Sequence, residues 1–103
     1  MIKPMITIKD LEKIDIRVGK IIKVLEIAES DKLVRLEVDF GEFQRTILVG
    51  MKQERKNPQA EIAGLQALFV VNLAPKTLFG IESQGMFFDI GYANKNHTGF
   101  GNT

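Results

Sequence analysis

The chain has 103 residues, enough for one domain over residues 1–103, and its 45% hydrophobic and 26% charged residues exclude a largely disordered chain. The formal net charge of +1 means that any basic face must be local, and the lack of cysteine excludes disulfides, thiolate metal sites and cysteine nucleophiles. Because the sequence has no apolar run near the roughly 18 residues of a membrane span, and no signal-like start, we expect a cytoplasmic protein without membrane contact.

The first predicted element is a short helix at residues 7–13. Thr7 followed three residues later by Asp10 resembles a capping box, which marks the start of a helix. Residues 14–27 are rich in β-branched side chains and predict the first strand. Gly19 interrupts the alternation within this strand, which predicts a bulge or a sharp bend there.

The second and third strands are predicted to form a hairpin. Residues 32–40 alternate between apolar and charged side chains, so one face of this strand belongs to the core and the other to solvent. Gly41 and Glu42 fit a tight turn, and residues 43–49 alternate again.

A second short helix and two further strands complete the pattern. Asn57 is a good N-cap, Pro58 suits the first helical position, and Gly64 is placed to end the helix. The apolar segments 67–73 and 85–92 predict the fourth and fifth strands, followed by an irregular polar tail.

This layout predicts an all-β fold with short helices, the five-stranded Greek-key barrel known as the OB-fold. Its marks are five strands, a bent first strand and a helix between the third and fourth strands. Barrels of this kind bind oligonucleotides or oligosaccharides, but the fold alone does not define a function.

Catalytic motifs are not evident in the sequence. His97 is the only histidine and lies in the polar tail, where we expect a surface residue. The letters around Ser83, G-I-E-S-Q-G, are one residue longer than the G-x-S-x-G nucleophile elbow. Since no metal-binding or phosphate-loop motif occurs either, we predict a protein that is not an enzyme and has no metal and no cofactor.

The connection between the fourth and fifth strands is unusually long. Residues 72–86 read NLAPKTLFGIESQGM, whereas a hairpin needs only two to five connecting residues. Its polar side chains indicate a purpose other than joining two strands.

Residues 9–92 resemble the tRNA-binding domain family. The motifs that carry the resemblance are D-I-R-V-G-K-I at 15–21, D-K-L at 31–33, V-D-F-G at 38–41, R-T-I-L-V-G at 45–50, and the whole of 72–86. The family includes free-standing tRNA-binding proteins, the carboxy-terminal appendix of many bacterial methionyl-tRNA synthetases, and a relative in endothelial-monocyte-activating polypeptide II. In this family the long loop borders the nucleic-acid groove.

The resemblance implies a tRNA site on matching positions of this chain. Two lysines and an arginine would neutralise phosphates, an asparagine and a serine would contact base edges or ribose hydroxyls, and a methionine would pack on a base. These residues are Lys32, Arg45, Asn72, Lys76, Ser83 and Met86.

Structural alternatives remain open for three of these residues. Asn72 would otherwise cap a strand end, Ser83 would only hold the loop, and Met86 would belong to the core. Gly80 and Gly85 are expected to be backbone requirements.

The resemblance therefore implies a non-catalytic tRNA-binding module, an auxiliary or an appendix of methionyl-tRNA synthetase, that forms a homodimer. Apolar residues at both ends of the chain support the dimer. Two alternatives stay open: a peptide-binding export chaperone of the CsaA type, and a pure dimerisation module. The chain lacks the His-Pro-Asn-Ala type of turn and a second basic residue near Thr77 or Phe79 that many family members have, which lowers the expected affinity.

Overall fold

The structure of the protein is a computed structural model that describes residues 1–51 and 57–88. Within these residues the chain forms, in order, α1 (Ile8–Leu11), β1 (Ile16–Glu26), β2 (Val34–Asp39), β3 (Gln44–Val49), α2 (Pro58–Ile62), β4 (Gln66–Val70), β5 (Lys76–Leu78), β6 (Ile81–Ser83) and β7 (Met86–Phe87). Neither of the two short helices in the described residues could span a membrane.

Five of the strands form a nearly closed antiparallel barrel of the OB type, as predicted. They follow the order β3-β2-β1-β4-β7. The two edges approach each other where the Gln84 backbone N–H, just before β7, donates to the Thr46 carbonyl oxygen of β3 at 2.8 Å. The long strand β1 pairs with two strands: its first half pairs with β4 and its second half pairs with β2.

The irregularity in β1 lies later than the sequence indicates. The register with β2 shifts between Ile21 and Lys23, so the bulge predicted at Gly19 falls there instead. Gly19 permits a close approach: a Cβ atom at this position would lie 2.5 Å from Val38 Cγ1 and 2.7 Å from Phe40 Cε1. The glycine therefore leaves room for the side chains of Val38 and Phe40.

The core fills the interior of the barrel. The alternation predicted for the second strand is confirmed, since Val34, Leu36 and Val38 are fully buried. Ile62 of α2 is also fully buried and belongs to the same cluster, so this short helix packs against the barrel. Each such side chain contributes about 1.5–3 kcal/mol through removal from water.

Both helices begin at the predicted caps. In the capping box of α1, the Asp10 N–H donates to Thr7 Oγ1 at 3.2 Å and the Thr7 N–H donates to the Asp10 carboxylate at 3.1 Å. The Thr7 N–H lowers the pKa of Asp10 below its usual value. Asn57 caps α2, and Gly64 follows this helix with φ +88°.

The long connection differs from the expected loop, because it contains the hairpin β5–β6. Lys76 pairs with Ser83 and Leu78 pairs with Ile81. The two residues between the strands, Phe79 and Gly80, both have positive φ, 52° and 75°, as a type I′ hairpin turn requires. A three-residue strand on each side is too short for a sequence pattern to distinguish it from a loop.

The fifth predicted strand, 85–92, is described only to residue 88, where β7 is observed. The remainder of that strand and the polar tail with His97 and Phe100 lie outside the described residues.

Candidate nucleic-acid interface

The β5–β6 hairpin is fastened along the open edge of β3. The Leu48 N–H donates to Ser83 Oγ at 3.0 Å, and the Thr46 N–H donates to Gln84 Oε1 at 3.4 Å. Ser83 is only 9% exposed. The structure thus shows Ser83 holding the hairpin, as in the alternative left open above, and its contact with tRNA stays a prediction.

Arg45 holds the base of the same hairpin. Its Nη1 donates to the carbonyl oxygen of Val71 at 3.1 Å and to that of Gln84 at 3.0 Å. Its guanidinium lies 4.8 Å from the centre of the Phe43 ring. The side chain therefore joins the residue after β4 to the residue before β7, and its charge is engaged by backbone oxygens.

A second arginine shares the same aromatic ring. The guanidinium of Arg17 lies 5.5 Å from the centre of Phe43 and donates to both carboxylate oxygens of Asp15, at 3.0 and 3.1 Å. These hydrogen bonds lower the pKa of Asp15 and raise the pKa of Arg17. The positive charge of Arg17 is therefore compensated within the protein.

Asn72 joins the exit of β4 to the entry of β1. Its Oδ1 accepts from the Asp15 N–H at 2.8 Å, and its Nδ2 donates to the Lys13 carbonyl oxygen at 2.6 Å. This is the strand-end role left open by the sequence. A contact between Asn72 and tRNA remains untested.

Lys32 and Lys76 are the predicted cations that face solvent. Lys32 lies in the loop between β1 and β2, and Lys76 begins β5; within the described residues neither ammonium group has a hydrogen bond or an ion pair. Arg45 pairs with Val38 near one end of the β2–β3 ladder, and Lys32 lies beyond the other end. The ladder spans about 17 Å. The three predicted cations therefore do not form one compact cluster.

Met86 is an exposed side chain of β7, and its contact with a base stays a prediction. It is 48% exposed, so it does not belong to the core, and it points outward because the neighbouring Phe87 points inward. The exposed apolar side chains on the outside of β1 and β4 and in or beside β7 make up what we call the outer apolar face: Ile16, Val18, Leu68, Met86 and Phe88.

The structure also forms a polar cleft that sequence reasoning did not assign. The cleft has a volume of about 300 Å³ and lies between the hairpin and the outer side of β2 and β3; its lining residues are Arg35, Thr46, Gly80, Ile81, Glu82 and Gln84. The alternation of β2 predicts that Arg35 faces solvent. The sequence contains no clear signal for the β5–β6 hairpin that forms the other side of the cleft.

No group of three or more histidine, cysteine, aspartate or glutamate side chains capable of holding a metal occurs in residues 1–51 and 57–88.

A five-stranded OB barrel with a polar cleft beside its second and third strands defines a class of small ligand-binding barrels, whose members bind oligonucleotides or oligosaccharides. The family described as "Putative tRNA binding domain" matches residues 16–99. The chain belongs to this family.

Several methionine–tRNA ligases are similar in sequence to this chain. The enzyme of Chloroherpeton thalassium is 42% identical over 85 residues, which are 82% of this chain and 12% of that protein. The enzyme of Xylella fastidiosa is 42% identical over 93 residues, which are 88% of this chain and 13% of that protein. The chain thus spans only about an eighth of the length of these relatives.

Solved structures of the same fold include a MetRS-related protein and a chaperone. The MetRS-related protein of Pyrococcus horikoshii superposes with a TM-score of 0.81 at 35% identity, over 88% of this chain and 82% of that one. The CsaA chaperone protein of Picrophilus torridus superposes with a TM-score of 0.76 at 27% identity, over 86% of this chain and 83% of that one.

Proposed function

We propose that this chain is a cytoplasmic, non-catalytic tRNA-binding module that serves methionyl-tRNA synthetase, either as an auxiliary protein or as an appendix. The observation that carries the proposal is the family match, which extends through the barrel and the hairpin. The likeness to methionine–tRNA ligases supports methionyl-tRNA synthetase as the enzyme that is served.

Five of the six predicted site residues divide into two groups in this proposal. Lys32 and Lys76 neutralise phosphates, because their ammonium groups are exposed and have no partner within the described residues. Arg45, Asn72 and Ser83 hold the hairpin and its base in position, since their polar atoms bond to the protein. The hairpin then presents a preformed surface to the RNA.

Salt dependence of binding tests this proposal. The chain should retain bulk tRNA in a filter-binding titration at low salt, and the affinity should fall linearly on a plot of log K against log salt concentration. Lys76→Ala should reduce that slope by about 0.7–0.9, the contribution of one phosphate contact. Lys23→Ala, which removes an exposed lysine from β1 outside the proposed site residues and the proposed dimer surface, is the matched control and should leave the slope unchanged. Folded protein that has no affinity for tRNA at low salt would refute the proposal.

A peptide-binding chaperone is the second candidate, and two observations favour it. The CsaA proteins share the fold at 27 and 28% identity, and the outer apolar face is a surface of the kind that binds unfolded chains. Competition distinguishes the two functions: we expect an unfolded polypeptide not to displace tRNA, and displacement would favour the chaperone.

We also propose that the chain forms a two-fold homodimer through the outer apolar face and the N-terminal segment. The apolar side chains of α1, Ile8 and Leu11, are exposed, as are Met1, Ile2, Met5 and Ile6 before it. A four-residue helix is not stable by itself in water, so its apolar side is best explained by a second copy that covers it. A patch that meets its own copy across a two-fold axis limits growth to a dimer. If dimerisation were the only function, the dimer would persist without any affinity for tRNA.

A further inference from the structure

The polar cleft has an arginine on one side and a glutamate on the other. Arg35 lines it from the sheet, and Glu82 lines it from β6. These two side chains form no ion pair with each other in the described part of the chain. The cleft therefore holds a donor group and an acceptor group that are both available to a ligand between them.

The Arg35 guanidinium is held in place by its neighbours. Its Nε donates to Glu37 at 2.6 Å, and the Thr46 hydroxyl donates to the same carboxylate at 3.0 Å. Since the bond to Glu37 uses only Nε, both terminal nitrogens of Arg35 remain free among the described residues. A guanidinium fixed in this way presents a planar pair of donors to the cleft.

Glu82 presents the opposite chemistry. Its side chain is exposed, and within the described residues it has neither a hydrogen bond nor an ion pair. A free carboxylate accepts two hydrogen bonds and repels a phosphate. The ligand of this cleft must therefore offer donors on one edge and acceptors on the next.

Guanine is the nucleobase that meets this requirement. Its O6 and N7 atoms form an acceptor pair that matches an arginine, and its N1–H and N2–H groups form a donor pair that matches a carboxylate. Adenine presents the unprotonated N1 atom where guanine has N1–H, so it would direct an acceptor at Glu82. A volume of about 300 Å³ lies at the lower end of the range for small-ligand sites.

We propose that this cleft binds the guanine base of an unpaired tRNA nucleotide, with Arg35 on O6 and N7 and Glu82 on N1–H and N2–H. The inference rests on the proposed tRNA binding and adds base specificity to it. Unpaired nucleotides are the part of RNA whose base edges are open to proteins.

Short labelled RNAs test the base preference by fluorescence anisotropy with the full 103-residue chain. The probes are the pentanucleotides UUGUU and UUAUU, and versions of UUGUU that carry inosine or 7-deazaguanosine at the centre. The guanosine probe should bind about three- to tenfold more tightly than each of the others, the effect of one or two hydrogen bonds. Inosine lacks the N2 amino group and reports on Glu82, whereas 7-deazaguanosine lacks N7 and reports on Arg35.

A substitution of Glu82 tests whether the preference for guanosine arises in the cleft. Glu82→Ala should bind the guanosine and inosine probes equally, while Glu12→Ala, which removes an exposed carboxylate from the C-cap of α1, should keep the preference. Circular dichroism checks that both variants are folded.

The outcomes separate the two proposals. If guanosine and adenosine probes bind the wild type equally, or not at all, while bulk tRNA binds, the cleft proposal is overturned and the tRNA-binding proposal stands. If Glu82→Ala keeps the distinction between guanosine and inosine, the assignment to this cleft is wrong. If bulk tRNA itself fails to bind at low salt, both proposals fail.

Discussion

Arg45 directs its positive charge at two backbone carbonyl oxygens, and we expect it to act by holding the hairpin. One nitrogen bonds both Val71 and Gln84, and the group stacks on Phe43. A hydrogen bond from a charged donor contributes about 1.5–3 kcal/mol, and an orphaned carbonyl is itself unfavourable.

Arg45→Lys separates the two roles of this residue, because it keeps the charge and loses the planar fork. We expect it to lower the free energy of unfolding by about 1.5–3 kcal/mol in a urea titration and to weaken tRNA binding, with an unchanged salt slope. Lys76→Ala should show the opposite pattern, an unchanged stability and a smaller slope. If Arg45→Lys retains both stability and tRNA affinity while Arg45→Gln reduces the salt slope of tRNA binding, Arg45 would be a phosphate ligand, as the resemblance implied.

At the scale of the elements, the hairpin depends on how tightly its end approaches β4. Gly85 lies between β6 and β7 with φ +148°, and a Cβ atom there would be 2.8 Å from the Val70 carbonyl oxygen. Because a backbone oxygen cannot move aside as a flexible side chain can, an added methyl group must shift the hairpin or β7.

Gly85→Ala should therefore destabilise the protein by about 2–4 kcal/mol, combining a steric clash with an unfavourable φ. Gly41→Ala is the matched control, since Gly41 also has a positive φ, +93°, but open space around its Cβ position. The control should be destabilised only by the unfavourable positive φ of its alanine, by about 1–2 kcal/mol. If both variants lose the same free energy of unfolding in a thermal or urea titration, the close approach of Gly85 to β4 does not limit stability.

The outer apolar face is the surface through which we propose that two copies of the chain meet. Leu68 lies at its centre, paired with Val18 and bonded through its carbonyl oxygen to the N–H of Phe88. Dimerisation also places two tRNA-binding surfaces in one particle, which raises the effective concentration of the second surface.

Leu68→Glu should convert the dimer to a monomer in sedimentation equilibrium at micromolar protein, because an unpaired carboxylate would be buried at the interface. Leu25→Glu is the control: the two leucines are 43% and 42% exposed, but Leu25 lies on the β1–β2 side of the barrel. The monomeric variant should also bind tRNA more weakly through loss of avidity. A wild-type chain that sediments as a monomer would contradict the dimer and the avidity argument together.

Features that depend on neighbouring residues can be predicted from the amino-acid sequence alone. Alternating Val34, Leu36 and Val38 specify a strand with one buried face, and Thr7 with Asp10 specifies a helix start, because these signals need only residues two or three positions apart. The order of such elements was sufficient for the barrel, and the motif of residues 72–86 was sufficient for the family.

The contacts that the site residues make within the protein appear only in the folded chain. Arg45, Asn72 and Ser83 bond to backbone atoms 26 to 59 positions away, and backbone carbonyl and amide groups are the same for every residue type, so no sequence pattern records those bonds. The cleft arises in the same way, because the Phe79–Gly80 turn lacks an Asn-Gly signal and the folded hairpin alone places Glu82 opposite Arg35. Local chemistry fixed the elements, whereas long-range pairing determined which polar groups remain free for a ligand.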